Sequence, residues 1–316
     1  MSRTFNWMIF TPALLGLSIM ATASAQAPQP ETGFFPLDSG ITLRRMVVRS
    51  AKPKGTVILL HGFPETLYSY KEISRELGKD YEVHSFDWPG YGQSSRPSSS
   101  EFSYSPKDYA RVLEEYIAKS GIDSSHLTIY ATDIGGLPPL LLALRKPDIA
   151  KSIIVGDFAP FDRPQYMSES LQALKSKPSS DAVNAAMNKN RDEILENAYR
   201  RGFAKEEQFD ISPELKADML AGWNHASMTS ADAFYHYYSH FTEDQQYFEA
   251  NVSRLKTPVR VVWGEKDFYI KSEMGAEFAG KVGVQMSILP KLGHYPHLQD
   301  PKQTVAEIRA SFDKQR

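Results

Sequence analysis

The feature that most constrains this chain is an alternation that breaks once. Short β-branched or aromatic runs at Ile41–Val48, Thr56–Leu60, Tyr81–Phe86, Leu127–Ala131, Ser152–Gly156, Val259–Trp263 and Gln285–Leu289 read as strands. Several are apolar throughout, as strands buried on both faces must be. Between them Leu67–Leu77, Tyr109–Ala118, Leu137–Leu144, Glu273–Phe278 and Pro301–Phe312 carry helical periodicity. Strand and helix in turn imply an α/β fold, a mostly parallel sheet flanked by helices. From about Pro160 to Ala250 the strand pattern stops, and only helical patterns remain, at Ala182–Arg201, Pro213–Trp223 and Ser230–Phe241. The chain is therefore expected to fold as a core formed by residues 26–159 and 251–316, with a helical cap, 160–250, inserted between them.

Composition removes several functions. With 36 basic and 38 acidic side chains the formal charge is −2, so no strong field draws the chain to nucleic acid or anionic lipid. Cysteine is absent, which excludes disulfide scaffolds, thiolate nucleophiles and Cys-ligated zinc. Residues 1–25 read as a signal peptide: Arg3, an apolar stretch from Trp7 to Met20, and small residues at Ala23 and Ala25 before a cut after Ala25. The stretch is shorter than the roughly 20 residues that span a bilayer. A periplasmic or secreted protein, free of the membrane after cleavage, is expected. Asn251-Val-Ser253 is a formal glycosylation sequon that reads as chance.

The chemistry gathers at strand ends. Leu127-Thr-Ile-Tyr-Ala-Thr-Asp-Ile-Gly-Gly136 is a strand, a polar residue, two glycines and then a helix, the build of a nucleophile elbow with Ala131 and Gly135 at its small positions and Asp133 at the nucleophile's. A plain helix N-cap, where Asp is common, has the same local pattern. Four further motifs follow strands directly: His61-Gly-Phe-Pro64, Asp87-Trp-Pro-Gly-Tyr-Gly-Gln-Ser94, Trp263-Gly-Glu-Lys-Asp267 and Gly293-His-Tyr-Pro-His297. In this order the chain resembles the α/β-hydrolase superfamily from Gly33 to Phe312. The resemblance implies a nucleophile, acid and histidine in the order Asp133, Asp267, His294.

An aspartate at the elbow changes the chemistry. A carboxylate is already ionised and can displace a leaving group from saturated carbon, giving an alkyl ester on Asp133. His294, oriented by Asp267, then activates water against that ester, with the N–H groups of Phe63 and Ile134 expected to hold the oxyanion. Esterase and peptidase readings weaken, because no serine stands at the elbow. Two families use this chemistry. Haloalkane dehalogenases hold the leaving halide with N–H donors, usually a Trp after the nucleophile; here Ile134 and Phe63 occupy the donor positions. Epoxide hydrolases release an alkoxide and need an acidic O–H above it. The His61-Gly-Phe-Pro-Glu65 form is typical of them. Ala233-Phe-Tyr-His-Tyr-Tyr-Ser239 resembles the cap segment of secreted bacterial Cif-type epoxide hydrolases, which implies Tyr238 as the ring-opening acid and Tyr166, in the early cap, as a second donor. Ser239 departs from the Arg usual after that Tyr. Phe234, Tyr238 and Phe241 also have the spacing of an ordinary packing stripe.

The resemblance thus implies hydrolysis of a small apolar epoxide to a vicinal diol, with no cofactor and no metal. The alternatives are a haloalkane or haloacid dehalogenase, and a non-catalytic secreted protein that binds a ligand or a host partner. A homodimer stays open. Asp157 follows a strand where some relatives carry the triad acid, but the motif ending at Asp267 is the more complete. His297 reads as a loop or core histidine, His61 as a brace for the oxyanion loop, and Glu65 as either a helix N-terminal charge or a cleft-lining group.

Overall fold

The computed structural model describes residues 28–313, with 1, 2 and 4 ahead of them; the expected leader lies otherwise outside the described residues. Chain order begins with β1 (Glu31–Pro36), β2 (Thr42–Val48), β3 (Thr56–Leu60), α1 (Lys71–Leu77), β4 (Glu82–Phe86), α2 (Pro106–Lys119), β5 (Leu127–Thr132), α3 (Leu137–Arg145) and β6 (Ser152–Gly156). Then come α4 (Glu169–Ala173), α5 (Ser179–Lys189), α6 (Arg191–Asn197), α7 (Pro213–Trp223) and α8 (Ser230–Asn251), with no strand among them. The chain closes with β7 (Val259–Gly264), α9 (Ser272–Val282), β8 (Met286–Leu289), α10 (Pro296–Gln299) and α11 (Pro301–Phe312).

The eight strands form one sheet in the order β1-β2-β4-β3-β5-β6-β7-β8. β3 to β8 run parallel, while β2 is antiparallel to both β1 and β4. The alternation is thus not strict at its start, where β2 passes to β3 with no helix between. β1 does not appear in the sequence pattern because it is an edge strand whose residues are nearly all exposed, so no apolar run marks it. At the centre every residue of β5 and β6 is buried. One sheet face carries Val57, Leu59, Ile73 and Ile308; the other carries Ile58, Ile129, Leu141 and Val261 in a core that continues into Phe234, Tyr238 and Phe248 of α8. Each such side chain contributes about 1.5–3 kcal/mol on burial.

Two helical expectations change. Ala182–Arg201 is two helices, because Asn190 leaves helical geometry (φ −108°, ψ 29°) and its side-chain amide donates to Ala186 O at 2.8 Å. α8 runs well past Phe241, although the sequence turns polar there. Its buried polar residues find partners: Gln245 donates to Ala159 O and Phe161 O, both at 2.8 Å, and Asp244 takes the Lys107 backbone N–H at 3.0 Å.

Candidate active site

The loops after β3, β5, β6, β7 and β8 converge at the C-terminal edge of the sheet, where open α/β sheets collect their functional groups. After β5 the chain turns sharply, and Asp133 takes φ 51°, a left-handed conformation that costs a non-glycine residue about 1–3 kcal/mol. The turn is held from behind, since Asp133 N–H donates to Asp157 O at 3.1 Å. Its neighbours must be small. A Cβ on Gly135 would lie 2.9 Å from both His61 O and Leu60 O, and one on Gly62 would lie 2.6 Å from the Asp133 Cβ.

Close approach of the β3 loop sets the nucleophile's two oxygens apart. Phe63 N–H donates to Asp133 Oδ1 at 2.7 Å, while Oδ2 lies 3.3 Å from His294 Nε2. His294 Nδ1 meets Asp267 Oδ2 at 2.9 Å, and Asp267 Oδ1 accepts the N–H groups of Tyr269 (2.8 Å) and Ile270 (3.0 Å). Asp133, His294 and Asp267 are thus brought into one chain, all buried. Burial by itself lowers the His294 pKa, but Asp267 and Asp133 outweigh it and hold the imidazole well above its ordinary value. Ile134, the other expected oxyanion donor, makes no N–H bond to Asp133 among the described residues; its carbonyl accepts the Tyr237 hydroxyl at 3.2 Å.

A cavity opens over Asp133 and His294. Its walls are mainly apolar, with Leu171, Leu174, Val183 and Met187 from the early cap and Phe234 from α8, and Arg201 lies at it with Glu193 as its ion-pair partner at 2.7 Å. Phe63 stacks on Phe234 with ring centroids 4.2 Å apart. Tyr269 and Tyr295, which the sequence reading did not single out, also line the space, but their hydroxyls donate to Ala198 O (2.8 Å) and Phe63 O (2.9 Å).

Tyr238 is not among the residues that line the cavity: it lies behind Phe234, whose ring centroid is 4.8 Å from its own, with Phe241 at 4.9 Å. The packing stripe is therefore real. Yet the Tyr238 hydroxyl makes no hydrogen bond among the described residues, and burial followed by the Asp133 charge raises its pKa well above the ordinary phenol value. Tyr166 is not brought to the cavity. It is half-buried in a turn starting at Pro164, and its carbonyl accepts Lys271 N–H at 2.8 Å, which ties the turn to the loop after β7. The early-cap positions at the cavity are instead mainly apolar, with Ser170 and Arg201 the polar ones.

The bracing residues resolve as follows. His61 Nε2 accepts Trp88 N–H at 3.1 Å and Nδ1 reaches Gly62 O at 2.7 Å, so the neutral ring carries its proton on Nδ1; burial lowers its pKa. Glu65 is neither a helix charge nor a cleft residue. It is buried, with Oε2 accepting Gly62 N–H at 2.9 Å and Oε1 meeting His297 Nε2 at 2.6 Å. This pair, 232 residues apart, couples the loops that carry Phe63 and His294. Local sequence held no signal for it. No cluster of potential metal ligands occurs among the described residues.

A family model described as alpha/beta hydrolase fold matches residues 55–301. Among curated proteins, mouse epoxide hydrolase 4 is 31% identical over 121 residues, 38% of this chain and 33% of that protein. A fluoroacetate dehalogenase of a Burkholderia species is 32% identical over 126 residues, 39% and 40% of the two chains. These matches span well under two thirds of those relatives. Among solved structures, a Cif epoxide hydrolase from Acinetobacter nosocomialis superposes with a TM-score of 0.73 at 18% identity, covering 92% of this chain and 90% of that one.

Proposed function

The chain belongs to the α/β-hydrolase fold family, and from that premise we propose that it hydrolyses small apolar epoxides to vicinal diols through an ester on Asp133. The observation that carries the reading is the division of labour between the two oxygens of Asp133: Oδ1 is engaged by Phe63 N–H, while Oδ2 faces His294 beneath the cavity. Oδ2 attacks an epoxide carbon, the ring C–O bond breaks, and the alkoxide takes the Tyr238 proton. Alkylation makes Asp133 neutral. That removes one of the two anions that hold the His294 proton, so the imidazole becomes free to act as a base. Water, deprotonated by His294, then adds to the ester carbonyl. The developing oxyanion on Oδ1 already has its donor in Phe63 N–H, an interaction worth roughly 3–4 kcal/mol, and Ile134 N–H is the proposed second donor. On collapse the leaving alkoxide takes the proton from His294, which releases the diol, and the second proton of the water passes from the new Asp133 carboxyl to the Tyr238 phenolate, restoring carboxylate and phenol. The N-terminal pattern supports export to the periplasm or beyond the cell as part of this proposal, with the helices between β6 and β7 as the enzyme's cap.

Dehalogenation is the second reading, favoured by the match to a fluoroacetate dehalogenase. It shares the Asp133 ester but needs halide donors, and Phe63 and Ile134 offer no side-chain N–H. One experiment separates the readings: purified protein is offered terminal epoxides and bromoalkanes, and diol and bromide are both measured. A single turnover in heavy-oxygen water is expected to label the Asp133 carboxylate. Labelled diol from an unlabelled protein overturns the ester mechanism.

A further inference from the structure

Asp157 follows β6 directly and takes no part in the chemistry above, yet three of its features are unusual. It adopts φ 50°, in the left-handed region. Its carbonyl receives Asp133 N–H at 3.1 Å, so it supports the elbow. Its carboxyl is fully buried: Oδ1 accepts Gly264 N–H at 2.9 Å, and Oδ2 has no donor partner. Asp267 N–H in turn donates to Gly264 O at 3.3 Å, so the turn that gives Gly264 N–H to Asp157 also brings the Asp267 carboxyl against it, with His294 beyond. Two buried carboxylates in contact cannot both be ionised, and a proton between them goes to the one with fewer donors. Asp267 has the N–H groups of Tyr269 and Ile270 and the His294 ring; Asp157 has one N–H. Burial, and after it Asp267, push the Asp157 pKa well above the carboxylate range.

We propose that Asp157 is a positioning residue, a neutral carboxylic acid whose O–H donates to the Asp267 carboxylate and steadies it against His294. The proposal rests on reading Asp267 and His294 as the water-activating pair. A further donor on Asp267 spreads its charge, weakens its hold on the His294 proton and keeps the imidazole closer to the range where it can serve as a base. The titratable groups facing this cluster are Tyr130 of β5 and Asp133 after it, Asp267 and Tyr269 after β7, and His294 and Tyr295 after β8.

The test compares Asp157→Asn, which keeps a donor toward Asp267, with Asp157→Ala, which does not. In Asp157→Ala the NMR titration of the His294 ring moves up by about one pH unit, and hydrolysis of the Asp133 ester slows about tenfold at neutral pH. Asp157→Asn keeps the wild-type titration position. An infrared difference spectrum between wild type and Asp157→Asn at neutral pH shows the carbonyl stretch of a protonated acid in the wild type. That band decides the matter even if Asp157→Ala does not fold. A missing band, an unmoved His294 titration in the Ala variant, or an Asn variant that titrates like Ala overturns the proposal. If neither epoxide nor bromoalkane is turned over, the reading of function falls while the band and the titration still report on Asp157.

Discussion

The two halves of the cap are held by different means. α7 and α8 meet the core through buried charge. Arg44 of β2 forms a bidentate pair with Asp218 of α7, both bonds 2.7 Å, and contacts Asp87 at 2.5 Å. Arg96 passes from the β4 loop into the cap and donates to Met228 O (2.6 Å) and Gly222 O, the latter where a Cβ on Gly222 would lie 2.6 Å from Gly92 Cα. By contrast, α4 to α6 lean on the loop after β7 through backbone bonds, such as Ser168 N–H to Tyr269 O at 2.8 Å. They join α8 at Asp232, which accepts the amides of Asn184 (3.0 Å) and Asn188 (2.9 Å), and through single bonds from Tyr235 to Asp181 (2.7 Å) and from Lys175 to Gln245 (3.2 Å). The fixed half carries Phe234 and Tyr238, whose distance from Asp133 the chemistry requires to be constant. The lightly held half supplies most of the apolar wall, where the proposed reaction leaves substrate selection largely to shape.

The sharpest way to break this comparison is Tyr238→Phe. It keeps the ring between Phe234 and Phe241 but removes the proposed acid, and epoxide opening is expected to slow by about 10²–10⁴-fold with an unchanged unfolding midpoint. Intact turnover would return Tyr238 to packing alone. Next, Asp218→Ala leaves the Arg44 guanidinium buried without its bidentate partner, which should cost about 3–5 kcal/mol in urea unfolding. A loss below about 1 kcal/mol would mean that the fixed half is not fixed by charge. In the wall, Met187→Ala should lower kcat/KM for apolar epoxides about tenfold, as expected for lost methylene contacts, with little effect on stability because the residue is only half-buried. An equal drop in the unfolding midpoint would erase the distinction between halves. The smallest effect concerns the joint. Burial tends to raise the Asp232 pKa, but hydrogen bonds from Thr229, Asn184 and Asn188 bring it below its ordinary value of 3.8. Its stabilising contribution is therefore present above that value and is lost as pH falls through the folded pKa. Amide exchange in α5 should accelerate there in wild type, and Asp232→Asn should show the faster exchange already at neutral pH.

What the sequence disclosed follows the range of the forces involved. The elbow at Asp133, the loop at His61, and the positions of Asp267 and His294 were legible because each needs specific residue types next to a strand end. The parallel strands were legible because burial on both faces leaves an apolar run. β1 was not, since an exposed edge strand gains its order from pairing with β2 and not from its own side chains. The break at Asn190 was hidden inside a continuous helical period. Glu65 with His297, Arg44 with Asp218 and Asp157 with Asp267 depend on the fold to bring distant residues together, and no local pattern encodes them.

Gly62 has no chemistry of its own, yet a Cβ there would meet the Asp133 Cβ at 2.6 Å. A mutational survey scored on turnover would rank it beside the nucleophile, and inheritance would guard the two positions with equal severity. The tightness that aims Phe63 N–H at Oδ1 leaves no neutral drift at this point of the loop, so new specificities in this lineage have to be sought in the wall of the cap, where single changes are survivable.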